Sequence, residues 1–139
     1  MKRRFSKIAC IAAALCAFFT VLLTVIPLNA QQQAMISQRD KLIHAAVFTL
    51  LTTCVAWALT GFVQSRRRLL VLTAILMVVF ASIDELVQWF VPTRTVDMED
   101  WIADCLGITL GLIAYTLIAI VVSAIVVKKD GGMRQPVEK

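Results

Sequence analysis

His44, Asp84, Glu85, Gln88, Asp100 and Asp104 are ionisable or hydrogen-bonding side chains in or at the ends of segments that are otherwise apolar. An ionisable group inside a membrane helix costs about 2.5–3.5 kcal/mol at mid-bilayer on insertion scales, so each needs a partner or a purpose. Helical spacing sorts them into faces. Asp40 and His44 stand four apart with Lys41 between them, Asp84 and Gln88 stand four apart beside Glu85, and Asp100, Asp104, Gly107 and Gly111 form one stripe. At 1.5 Å per residue, Asp84 lies about 10–12 Å below the corner marked by Pro92. The three stripes end at one level, and turning them toward one another makes a polar pocket capped by the segment 92–100, which carries Arg94 and Asp97. Arg94 and Lys41 suit a phosphate or carboxylate. Asp84, Glu85, Gln88 and His44 suit hydroxyl, amide or amine groups, and His44 with Asp84 or Glu85 suits general acid–base work. There is one histidine and no His-Glu-x-x-His spacing, so neither a metal nor a cofactor is expected. Blander readings stand beside these: a structural His44, an Asp84–Glu85 ion-pair network to Arg94 or Lys41, and solvated or helix-capping acids at Asp97, Glu99 and Asp100.

The elements that must position these residues are four long apolar runs, expected as helices at about 8–28, 41–63, 69–91 and 100–127. Each is near or above the ~20 residues that cross a hydrocarbon core. The whole chain of 139 residues is 60% apolar and 17% charged, against roughly 45–50% and about 25% in an ordinary soluble domain. These numbers leave no length for a soluble nucleotide-binding fold, a zinc-finger module or a secreted disulfide scaffold. An all-α bundle of four transmembrane helices is expected, forming a single membrane domain over 1–139 with a disordered tail at 128–139. Pro27 stops the first helix, a polar connector occupies 29–39, and the short link 64–68 makes the second and third helices antiparallel neighbours. The first run is too long for the apolar region of a cleaved signal peptide. Gly107 and Gly111 let another helix approach closely. Cys10, Cys16, Cys54 and Cys105 fall in apolar runs without redox or zinc spacing and read as small packing residues.

The net charge of +5 is a topology signal, not a mark of nucleic-acid binding. Eleven of the 14 Lys and Arg precede the first run, lie between the second and third, or follow the fourth, leaving Arg39, Lys41 and Arg94 on the other side. The positive-inside rule then places both termini in the cytoplasm. Seven of the nine acids belong to the opposite, outer half.

Asp40-Lys41-x-x-His44, Asp84-Glu85-x-x-Gln88, Val91-Pro92-x-Arg94, Asp97-x-x-Asp100 and Ala103-Asp104-x-x-Gly107 with Gly111, in that order on three consecutive helices, resemble the VanZ-like family of small bacterial membrane proteins. The resemblance covers about residues 38–120. The family pattern frequently has Asn where Asp104 stands. The resemblance implies a multi-pass protein of the bacterial cytoplasmic membrane with a role at the cell envelope, the founding member being linked to teicoplanin resistance. Together with the outward-facing acids it favours a protein that binds the polar head of an envelope lipid, a lipid-linked wall precursor or a lipoglycopeptide through Asp40, Lys41, His44, Asp84, Glu85, Gln88, Arg94, Asp97, Asp100 and Asp104. A membrane-embedded hydrolase or transferase using His44, Asp84 and Glu85 is the second reading, weakened because Thr93 and Thr95 are the nearest hydroxyls and Cys105 the nearest thiol. A structural or assembly role is the third.

Overall fold

Long stretches free of proline, with glycine only where helices meet or end, make this chain helical. In the computed structural model every regular element among the described residues is an α-helix: α1 (Lys2–Val25), α2 (Ala30–Leu59), α3 (Arg66–Gln88) and α4 (Met98–Gly132). The structure describes the backbone of residues 2–25, 30–91 and 97–132, and the side chains of residues 7–22, 25, 41–91 and 97–128. Lys41–Leu59, Arg66–Gln88 and Met98–Lys128 are each long and apolar enough to cross a membrane, and α1 contributes the shorter apolar stretch Lys7–Leu22 among the described residues.

The helix ends differ from the expected ones by a few residues, α1 beginning at Lys2 and α2 ending at Leu59, and by the most at the start of α2 and the end of α4. The segment 30–39, expected as a connector, is the first part of α2. No glycine or proline interrupts Ala30–Leu59, and its Ala, Gln and Met residues are strong helix formers, so the backbone ladder continues past the apolar span. Likewise α4 runs on to Gly132, so residues 128–132 of the expected disordered tail are helical and only 133–139 lie outside the described residues. No proline interrupts that ladder before Pro136.

The ends of α3 and α4 set the geometry of the polar residues. Ser65 caps α3, its hydroxyl accepting the Arg68 backbone N–H at 3.5 Å. At the other end α3 gives way to a turn in which the N–H groups of Phe90 and Val91 donate to the carbonyls of Val87 and Gln88. Pro92 follows, disfavouring helix in the residue before it. The Asp97 carboxylate accepts the Glu99 N–H at 2.9 Å and opens α4, whose first turn carries Glu99 and Asp100, favourably placed at the positive end of the helix.

Packing decides which faces turn inward. The buried residues of α3 are Leu69, Thr73, Met77, Ala81, Asp84, Glu85 and Gln88, a stripe of steps of three and four on which the polar residues simply extend the core face. Phe48, Leu51, Met77, Ala81 and Ile108 form the cluster nearer the polar end, and Ala56, Leu69 and Tyr115 the one nearer the other end. The outer surface is lined by residues such as Leu50, Ile75, Val79, Ile83, Leu110, Leu117 and Ile125, a continuous apolar exterior that suits lipid and not water.

At Gly107 and Gly111, α4 lies close against α2. A Cβ added at Gly107 would lie 2.5 Å from the Ala45 carbonyl oxygen, and one at Gly111 would lie 2.6 Å from Thr52 Cβ. Thr49 and Thr53, spaced four apart like the two glycines they face, each share one hydroxyl proton between a carbonyl of their own helix, Ala45 at 2.6 Å and Thr49 at 2.8 Å, and the carbonyls of Gly107 and Gly111, each at 3.2 Å. The glycines therefore do the packing expected of them, and the threonines are the partners that the spacing of α4 alone does not reveal.

Candidate functional site: a polar cluster at one end of the bundle

The beginning of the α2 span, the end of α3 and the beginning of α4 lie at the same end of the bundle, because α3 runs antiparallel to both neighbours. His44 Nδ1–H donates to Asp104 Oδ1 at 2.9 Å, joining α2 to α4. The carboxylate is an acceptor only, so Nδ1 is the protonated nitrogen in this bond. Asp104 is fully buried, whereas His44 keeps 13% of its side chain exposed, so the pair reaches from the bundle interior toward its rim. An asparagine carbonyl would accept the same N–H, and this bond does not by itself demand a charge at position 104.

Glu85 joins α3 to the start of α4. Its Oε1 accepts the backbone N–H of Asp97 at 2.8 Å, and Gln88 Nε2 donates to its Oε2 at 3.4 Å. His44, Asp100 and Asp104 all lie within electrostatic reach of Glu85. Asp84, Glu85, Gln88, Asp100 and Asp104 are all buried. At the rim, Lys41 and Glu99 form an ion pair; as a partly exposed contact it is worth at most about 1 kcal/mol. Trp101 Nε1–H reaches Ser82 Oγ at 3.2 Å, bracing α4 against α3 just beside the cluster.

The structure thus brings together His44, Glu85, Gln88, Asp97, Asp100 and Asp104 of the expected site, buries Asp84 on the same face of α3, and sets Lys41 at the rim against Glu99. The side chain of Asp40 and all of Arg94 lie outside the described residues. Glu99 is an addition: its place in the first turn of α4, across from Lys41 at the start of the α2 span, is the signal that points to it. The expected pairing of Asp40 with His44 lies outside the described residues; among the described carboxylates the one bonded to the imidazole is Asp104, which the packing of α2 on α4 supplies. Among the described residues no three His, Cys, Asp or Glu side chains are grouped to hold a metal ion.

A helical bundle with an apolar exterior and buried acids gathered at one end defines a polytopic membrane protein with a polar site at the bundle mouth. The family model described as VanZ/LLP1 matches residues 10–120, and the chain belongs to that family. The match takes in most of α1 as well as the three helices bearing the motifs. A stretch of 75 residues is 41% identical to an uncharacterised protein of Schizosaccharomyces pombe, covering 53% of this chain and 44% of that protein. The chain thus spans less than half the length of this curated relative, and the similarity reaches a eukaryote. No solved structure matches.

Proposed function

We propose that the polar cluster is a binding site for the polar head of an envelope lipid, a lipid-linked wall precursor or a lipoglycopeptide, with the helices accommodating its acyl portion. The observation that carries this reading is the burial of Asp84, Glu85, Asp100 and Asp104 together at one end of a bundle whose α2–α4 seat is made by other residues. Gly107 and Gly111 seat α4 on α2, and Thr49 and Thr53 bridge the two. The α2–α4 seat itself needs no buried carboxylate, and a carboxylate within a membrane helix costs up to about 2.5–3.5 kcal/mol at mid-bilayer. Groups kept at that cost beside a partly exposed His44 and Lys41 are suited to recognising a polar head. A second reading, a membrane-embedded hydrolase, is favoured by one contact, the His44–Asp104 hydrogen bond, since a carboxylate fixes the tautomer and orientation of an imidazole.

The test uses the purified full chain with three probes: phosphatidylglycerol, a polyprenyl diphosphate and teicoplanin. A ligand at a hundred times its Kd stabilises the folded state by about 2.7 kcal/mol, so one of the three raises the unfolding temperature measurably. No shift with any of them overturns the proposal, and release of a cleaved product from a probe transfers it to the hydrolase reading.

The reading also has α1 crossing the membrane and both termini in the cytoplasm of a bacterial cell, with the cluster facing outward. A reporter active only outside the cytoplasm is then silent when fused after Lys139 and active when fused after Arg39. The reverse pattern places the cluster on the cytoplasmic face and removes envelope ligands from consideration.

A further inference from the structure

The polar end of the bundle carries more negative charge than its own cations balance. By sequence it holds the seven acids between Asp40 and Asp104, against Arg39, Lys41 and Arg94, the arginines 66–68 belonging to the opposite end. Counting His44 as protonated still leaves a surplus of three negative charges, whatever pairs the cations make. The donors seen in the cluster are aimed at its own acids: His44 Nδ1–H at Asp104, Gln88 Nε2 at Glu85 and Lys41 at Glu99. In these bonds each Glu85 oxygen takes one donor, the Asp97 N–H or the Gln88 amide, whereas a carboxylate has about four acceptor sites. Such a set asks a ligand for positive charge and for N–H groups.

A second feature fixes where that ligand resides. Trp89 and Phe90 in the turn after α3 and Met98 at the start of α4 are large apolar side chains, each more than two-thirds exposed, and all at the polar end. Tryptophan, apolar in body and polar at one edge, settles at the headgroup level of a bilayer. Trp101, its indole N–H bonded to Ser82, stands in the first turn of α4. This lip sets the buried acids at or just below the headgroups, within reach of a lipid that stays in its own leaflet. A divalent cation would need several acids drawn to one point, and among the described residues no three His, Cys, Asp or Glu side chains are grouped in that way. A primary ammonium directs three N–H donors to separate acceptors and suits acids distributed over α3 and α4.

We infer that the site takes a lipid head bearing a primary amine, of the phosphoethanolamine type, its ammonium among Asp84, Glu85, Asp100 and Asp104 and its phosphate at the rim beside Lys41. The inference rests on the binding-site reading and narrows it. Amine-bearing lipids are preferred over phosphatidylglycerol and polyprenyl diphosphates, because only they supply the charge that the acids lack. Lys41, partly exposed at the rim, offers the phosphate a cation at the level where the lip holds it.

The experiment titrates the purified full chain in micelles with phosphatidylethanolamine, its N-acetyl derivative and phosphatidylglycerol, reading the unfolding temperature. Phosphatidylethanolamine is expected to reach half of its maximal shift at a concentration about tenfold below that of phosphatidylglycerol, a difference of about 1.4 kcal/mol in binding. N-acetylation removes the positive charge and leaves the phosphate and acyl chains in place, and it is expected to abolish that advantage. Asp100→Asn, which removes one negative charge at nearly constant size, is expected to narrow the gap between the two natural lipids. The N-acetyl comparison uses the unsubstituted chain, which keeps the test valid should the variant fold poorly. Phosphatidylglycerol acting at the same concentration as phosphatidylethanolamine, an undiminished effect of the N-acetyl lipid, or a shift reproduced by Mg2+ alone overturns this inference and leaves the binding-site reading standing. So does stabilisation by teicoplanin or polyprenyl diphosphate with none by phosphatidylethanolamine. No shift with any of these ligands overturns both.

Discussion

Gly107→Ala lowers the stability of the folded protein severely, and Gly107→Leu abolishes the folded monomer. The methyl group of alanine would stand 2.5 Å from the Ala45 carbonyl oxygen and 2.9 Å from Phe48 Cβ. The first of these is backbone of the facing helix, so no rotamer change relieves it and α2 must move away from α4. Overpacking of a tight contact typically costs about 1–3 kcal/mol, and Gly107→Ala is expected at the upper end because the same displacement lengthens the Thr49 bond to the Gly107 carbonyl and draws His44 away from Asp104. Gly111→Ala, with Thr52 Cβ at 2.6 Å and the Thr49 carbonyl oxygen at 2.7 Å, behaves similarly. Gly61 is the control. It lies exposed in the turn after α2 and has no positive φ, so Gly61→Ala stays within about 0.5 kcal/mol of the parent. Thermal unfolding in micelles, with size-exclusion chromatography for the leucine variant, reads these effects. A Gly107→Leu protein that elutes and melts like the parent would show that α2 and α4 are not seated on this glycine.

The close seating of α4 was legible as a spacing of small residues, and so was the inward face of α3. Leu69, Thr73, Met77 and Ala81 establish a face with helical period, and Asp84, Glu85 and Gln88 fall on its continuation, so their burial follows from phase alone. The stripe from Asp100 through Gly111 was readable for the same reason. Pairings between helices were not, because sequence spacing reports neighbours on one helix and the partner across a contact depends on how two helices cross. Hence the imidazole of His44 meets Asp104, sixty residues away, and Lys41 meets Glu99. The start of α2 was hidden for a different reason: residues 30–39 are polar, so no apolar period marks them, and only their helix propensity and lack of breakers foretell the ladder that forms there.

Glu85→Gln and His44→Asn separate recognition from scaffolding more sharply than any truncation. The Glu85 side chain is held by the Asp97 backbone N–H at Oε1, and the carbonyl oxygen of glutamine accepts that donor at the same reach. Gln88, which points its amide at Oε2, can turn its own amide over to present an acceptor to the new NH2. In His44→Asn the amide nitrogen takes roughly the place of Nδ1 and donates to Asp104 Oδ1 as the imidazole does. Both variants therefore keep the bonds that hold the helices while removing a negative charge in one case and a titratable ring in the other. By contrast Glu85→Ala strands the Asp97 N–H, at a cost of about 1–3 kcal/mol. For a binding site, the two near-isosteric variants unfold within a few degrees of the parent without ligand and lose the stabilisation conferred by whichever of the three probes binds the parent. A scaffold that depends on the charge of Glu85 or the imidazole of His44, and not only on the bonds these variants keep, would show itself as both variants melting far below the parent. Unchanged stabilisation by the probe in both variants would instead put the head-group contacts elsewhere in the bundle, away from His44 and Glu85.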